Sequence, residues 1–359
     1  MSTEETTDKC PRCDSYSIQD KAFCGSCGRR LKPEEKSFLS AVIDLDRNPL
    51  FSLAFIASIL VAAILVAETL YLVAQSYDIF VSVRGMRIVF SFISPTLDFA
   101  PYCVSRNGAF NQLYWVFVMS AILTSAALVM YRFIGSLKTV TREKSYHPAE
   151  KSCFFWMGTL LCTVLAADFL YVLIIQSFGQ SIDNPFGLWE SFGNLYLYAN
   201  APVWEELATR AFYIGIPMTA VTLIITKKKE SLKCLLGGFG MSRFALILII
   251  VSSVIFGFAH QPVWGIYKVI PVIWFGFALG YLFVRFGLYA AIAFHFLYNY
   301  RLVFAWIGSD LLSGLIMMSV IFAGLFTAVY IIKKLKDNEG ELRLLPWFIS
   351  RENMADNRK

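Results

Sequence analysis

Charge is scarce in this chain: Asp, Glu, Lys and Arg make up 16% of its 359 residues, against about 25% in ordinary soluble domains. Histidine is scarcer still, with three residues in all. The apolar runs are continuous rather than alternating, so membrane-spanning β-strands are not expected. No long-range internal repeat is present, which argues against an inverted-repeat transporter. The first ~49 residues are polar, and no signal peptide is expected ahead of the apolar part. The eight cysteines show no disulfide framework. Nothing predicts nucleic-acid binding: the net charge of +6 comes mostly from loops and tails, where it reads as membrane topology.

What is abundant is apolar sequence, at 57% of residues. Continuous apolar segments run over 50–75, 110–136, 152–178, 195–226, 243–262, 268–285, 288–307 and 311–333. Each is long enough for a hydrocarbon core of about 30 Å. The expected fold is an all-α polytopic membrane protein of about eight transmembrane helices, preceded by a small zinc-ribbon module. Its expected divisions are a ribbon over 1–31, a linker over 32–49, an eight-helix domain over 50–333 and a polar tail over 334–359. Residues 79–103 are apolar but interrupted by Arg84, Arg87, Pro95, Asp98 and Pro101, and read as a loop dipping toward the membrane. The tail carries one apolar patch, Leu344–Ile349, suited to the membrane surface.

Cys10, Cys13, Cys24 and Cys27 form two Cys-x-x-Cys pairs. Four thiolates so spaced suit a closed tetrahedral structural zinc site. A module this small has little core, so the metal would hold it together. Such a site leaves no open position for chemistry, and its expected role is to bind an as yet unknown protein partner.

The polar residues inside the apolar runs are the informative minority. Glu205, Glu206 and Arg210 form Glu-Glu-x-x-x-Arg; Phe256 and His260 form Phe-x-x-x-His; His295 and Asn299 form His-x-x-x-Asn. A charged group in lipid costs at least ~3 kcal/mol on insertion scales, so these groups are expected to share one polar cavity. Glu206 and Arg210, four apart on a helix, share a face and can pair. Glu205 points about 100° away and is left for other work. A desolvated carboxylate beside imidazoles is suited to act as general base. Asn200 and Pro202 stand just before the carboxylates, where they cap or break the helix. Asp168 and Arg301 are further isolated groups, open to two readings, a supporting ion pair or a wet crevice for each, whereas Glu68 is expected near an interface.

Taken together and in this order, the three motifs resemble those of the CPBP family of intramembrane proteases, also called the Abi or type II CAAX prenyl endopeptidase family. The resemblance covers roughly residues 195–305, outside the ribbon. It implies hydrolysis of a peptide bond in a membrane-associated peptide or protein substrate. Glu205 would activate water with His260 as partner. His295 and Asn299 would stabilise the oxyanion or help hold a metal, and Glu206 and Arg210 would orient the site. Two mechanisms stay open: zinc held by His260, His295 and Glu205, or glutamate and histidine acting without metal. A rival class is a non-catalytic membrane binding or scaffold protein of the bacteriocin-immunity type.

Loop charges place the N-terminal tail, the 132–151 loop, the 227–243 loop and the C-terminal tail on one side, so both termini are expected in the cytoplasm, in a prokaryotic plasma membrane. Glu205 then lies about 33 Å of helix from the Lys227–Lys229 run, and His260 about 26 Å from Arg243. Both fall in the outer half of the bilayer, which argues against a prenylated substrate presented from the cytosol.

Overall fold

The computed structural model describes residues 7–9, 16–18, 49–86, 88–93, 99–105, 108–143, 151–182, 192–227, 229–301 and 310–337. The chain divides into two compact units, Met1–Leu45 and Asp46–Lys359. In the first, β1 (Thr7–Lys9) pairs antiparallel with β2 (Tyr16–Ile18), Asp8 opposite Ser17. Cys10 and Cys13 fall between these strands in sequence, and Cys24 and Cys27 follow them. All four cysteines, and the zinc site expected of them, lie outside the described residues, as does the polar tail beyond Asp337.

The second unit is a helical bundle: α1 (Pro49–Ser82), α2 (Gly108–Glu143), α3 (Cys153–Ser177), α4 (Phe192–Glu206), α5 (Ile216–Thr226), α6 (Arg243–Trp264), α7 (Val269–Phe286), α8 (Leu288–Tyr300) and α9 (Asp310–Asp337). A π-helical segment, Leu207–Gly215, joins α4 to α5 without a break, so Gly193–Thr226 forms one span. Among the described residues seven helices are long and apolar enough to cross a membrane. The protein is an integral membrane protein.

The eighth expected run, 288–307, lies only partly within the described residues. They hold α8, 13 residues or about 20 Å of helix, and residues 302–309 lie outside them. The Arg301 guanidinium lies 4.0 Å from the centre of the Tyr298 ring, and its Nη1 donates to the Tyr298 carbonyl. α8 runs from one end of the bundle toward the other. Tyr289 at its start meets Arg132 late in α2, and Tyr300 at its end donates to the Leu195 carbonyl at 2.7 Å, early in α4.

The start of α1 and the end of α9 both meet the start of α3. Ser58 Oγ donates to the Phe155 carbonyl at 3.3 Å, and the Phe155 ring lies edge-on to Tyr330 at 5.7 Å. Pro49 and Asp337 therefore sit at the same end of the bundle. Close packing there depends on missing side chains: a Cβ on Gly158 would fall 2.6 Å from the Ser58 Cα, and one on Gly324 2.0 Å from the Cys162 carbonyl oxygen. Helix entries are capped by Ser152, which accepts from the Phe155 amide at 3.2 Å, and by Ser242, which accepts from the Ala245 amide at 3.1 Å. The turns out of α6 and α7 use Gly265 (φ 75°) and Gly287 (φ 114°), backbone conformations that glycine adopts without penalty.

Residues 79–103 are not the loop the interruptions suggested. α1 continues to Ser82, and an antiparallel ribbon of β3 (Ile88–Ile93) and β4 (Phe99–Ser105) follows, with a register shift between Phe90 and Ser91. Its β-branched and aromatic residues favour extended chain, a signal outweighed in the sequence by the prolines and charges around them.

Candidate active site

Three elements bring the polar residues together: the junction of α4 with the π-helical segment, the last turn of α6, and the second half of α8. Glu205 and Glu206 end α4, and Arg210 follows on the π-helical turn. Wide π-helical turns are frequent at functional sites. Here Thr209 Oγ1 donates back to the Glu205 carbonyl, and Ser252 Oγ of α6 donates to the Thr209 carbonyl at 3.4 Å.

The adjacent glutamates face different surroundings. Glu206 and Arg210 are wholly buried, Arg210 Nε standing 3.4 Å from Glu206 Oε2. Arg210 Nη1 donates to Thr209 Oγ1 at 2.6 Å, and its guanidinium lies 4.6 Å from the centre of the Phe256 ring. The pair thus loses water but gains each other, a hydroxyl and an aromatic face, the arrangement that makes burial of two charges tolerable. The remaining oxygen, Glu206 Oε1, accepts from His295 Nδ1 at 2.8 Å. Glu205 is partly open, with 27% of its side chain exposed, and its Oε2 lies 3.8 Å from His295 Nε2 and 4.0 Å from His260 Nε2.

The two imidazoles are oriented alike. His260 Nδ1 stands 2.9 Å from the Phe256 carbonyl, which can only accept, so that nitrogen carries the hydrogen. His295 Nδ1 donates to Glu206 in the same way. In the neutral rings both Nε2 lone pairs then point toward Glu205. Phe256 is the shelf for all of this: its ring lies edge-on to His260 at 4.8 Å and to His295 at 6.3 Å, with Arg210 over its face. Phe275 of α7 meets the His295 ring edge-on at 5.1 Å from the other side. Asn299, one turn beyond His295 on the same face, is half-buried.

Glu205 Oε2 stands between the two imidazoles, within reach of both through one bridging molecule. Separations of 3.8 and 4.0 Å are too long for a direct hydrogen bond. They match one water molecule making bonds of about 2.8 Å that open at about 90°. A tetrahedral zinc would draw such donors to about 3.3 Å from one another. As placed, the three do not fit one, and no group of three His, Cys, Asp or Glu among the described residues is arranged to hold a metal ion.

All six predicted site residues lie on the three converging elements, and five are in direct contact. The aromatic framework was not anticipated: Phe275 and Thr209 gave no sequence signal, being contacts of tertiary packing. Asp168 was read as pairing with Arg301 or sitting in a wet crevice. It accepts from Trp274 Nε1 at 2.6 Å and from Tyr298 OH at 2.5 Å. Glu68, expected near an interface, is 1% exposed.

No curated protein and no solved structure matches this chain. The segment 187–301, which carries all six site residues, matches the family model for type II CAAX prenyl endopeptidase Rce1-like, a family of membrane proteases.

Proposed function

We propose that the protein is an intramembrane endopeptidase in which Glu205, His260 and His295 activate a water molecule against a peptide bond. The observation that carries this reading is the convergence of one carboxylate oxygen and two imidazole Nε2 atoms, at 3.8 and 4.0 Å, on a point reached through the exposed side of Glu205.

The water donates one hydrogen to Glu205 and the other to an imidazole Nε2. Glu205 takes a proton as the oxygen attacks the scissile carbonyl, and the tetrahedral intermediate forms with its negative charge on the former carbonyl oxygen. The Asn299 amide donates to that oxygen. Glu205 then returns its proton to the leaving amine, so acid and base roles fall to one group in turn. Glu206 fixes the ring of His295, and Arg210 neutralises Glu206.

The bundle end shared by Pro49 and Asp337 also carries Arg132, Lys227, Arg243 and Lys333, and by the positive-inside rule it faces the cytoplasm. His260 lies in the last turn of α6, at the opposite end. The substrate is then a membrane-associated peptide or protein reached from the outer half of the bilayer. In the N-terminal unit, Cys10, Cys13, Cys24 and Cys27 hold a structural zinc and present a surface for a protein partner.

The test is turnover of a quenched-fluorescence peptide library by the purified protein in liposomes. Cleavage that falls at least ~100-fold in Glu205→Gln and persists in Cys10→Ser/Cys13→Ser is expected. Equal cleavage by wild type and Glu205→Gln would refute the assignment.

A further inference from the structure

The six site residues leave one built cluster unused. Asp168 lies in α3, outside the matched segment 187–301. Both of its oxygens are engaged, Oδ1 by Trp274 Nε1 of α7 at 2.6 Å and Oδ2 by Tyr298 OH of α8 at 2.5 Å. These bonds are short, and a carboxylate accepting from indole and phenol is among the stronger ties available in an apolar interior. The partners are well chosen to reach the active site. Tyr298 is three residues beyond His295 on α8, and Trp274 is the chain neighbour of Phe275 on α7. Phe275 stacks on Tyr298, with ring centres 4.1 Å apart and 25° between planes, and its edge meets the His295 ring at 5.1 Å.

One carboxylate therefore holds Tyr298 directly and, through Trp274, the helix that carries Phe275. A rotation of α8 about its axis would have to break the Tyr298 bond and unstack Phe275. A sliding of α7 would break the Trp274 bond. α8 is joined to α7 by the single residue Gly287, and its rotation is set by side-chain ties such as these. We propose that Asp168 is a positioning residue of the active site, holding α8 in the rotation that points His295 Nε2 at Glu205 and His295 Nδ1 at Glu206. The proposal deepens the peptidase reading above and rests on it for its catalytic consequence. Its structural content stands separately.

The chain's three histidines make a direct readout feasible. Protein carrying 15N-labelled imidazole in detergent micelles gives three ring signals, assignable by replacing His147, His260 and His295 one at a time. Tyr298→Phe keeps the ring on Phe275 but removes the tie to α3, and Asp168→Asn keeps the shape but loses one acceptor. Both are expected to shift the His295 signals and weaken its Nδ1–H bond, leaving the His147 signals unchanged. Thr163→Val is the control. It removes another buried polar tie of α3, the 2.8 Å bond to Thr327, and is expected to leave His295 unmoved. In the peptidase assay kcat falls by about tenfold or more with KM within about twofold, as a slight misplacement of a reacting group demands. Unchanged His295 signals in folded Tyr298→Phe and Asp168→Asn would overturn the proposal, as would an equal shift in Thr163→Val. Absence of cleavage by wild type would count against the peptidase reading alone, since the ring signals are read without substrate.

Discussion

Replacing Glu205 and replacing Glu206 should give opposite phenotypes, although the residues are neighbours in the chain. Glu206 is wholly buried, holds His295 Nδ1 at 2.8 Å and faces Arg210 Nε at 3.4 Å. Glu206→Gln deprives the buried Arg210 of its nearest counter-charge, and breaking such a pair from one side costs about 3–5 kcal/mol. Against a total stability of roughly 5–15 kcal/mol, that is a loss no assay would miss. Removing the second charge as well, in Glu206→Gln/Arg210→Met, should recover at least ~2 kcal/mol, because the penalty belongs to the orphaned guanidinium. Glu205→Gln should cost under ~1 kcal/mol, since Glu205 is partly exposed and its carboxylate contacts the imidazoles only at 3.8 and 4.0 Å. It should nonetheless abolish turnover. Unfolding in dodecyl maltoside micelles titrated with SDS, followed by tryptophan fluorescence, measures the first three quantities; peptide hydrolysis measures the last. The division of labour between the glutamates is wrong if Glu206→Gln unfolds with wild-type stability, or if the double variant is less stable than Glu206→Gln.

Three other outcomes are expected. Gly324→Ala should destabilise the bundle by about 1–3 kcal/mol, because its Cβ would meet the Cys162 carbonyl oxygen at 2.0 Å; a thermal melt in detergent that does not shift would contradict the close packing of α9 on α3. Single reporter cysteines at Gly179 and Lys229 should differ in whole cells, with only the first reacting with an impermeant maleimide, and labelling of Lys229→Cys would reverse the orientation. Metal analysis of the purified protein should find about one zinc per chain, lost in Cys10→Ser/Cys13→Ser with turnover retained; a metal-free wild type purified without chelator would remove the ribbon.

The membrane-spanning frame was legible because the bilayer imposes it. Long apolar runs have few alternatives to helix in lipid, and the observed spans fall on the expected runs. The site residues were legible for a related reason: Glu205, Glu206, Arg210, His260 and His295 are too costly to leave facing lipid, so their presence alone marks an enclosed site. What was not legible is what such reasoning ignores. Trp274, Phe275 and Tyr298 look like any aromatic in an apolar helix, and only the packing of α3, α7 and α8 shows that they link Asp168 to His295. Reading Asp168 against Arg301 matched charge with charge, whereas its hydrogen bonds come from the neutral donors Trp274 and Tyr298. The β3–β4 ribbon was hidden because Pro95 and Pro101 outweighed the Ile, Val and Phe around them. The π-helical turn has no sequence marker at all.

The single-residue link between α7 and α8 has a consequence for how the chain enters the bilayer. Gly287, at φ 114°, reverses the chain with no loop to spare. The two helices are therefore bound to insert as one hairpin, and neither has a slack tether on which to settle alone.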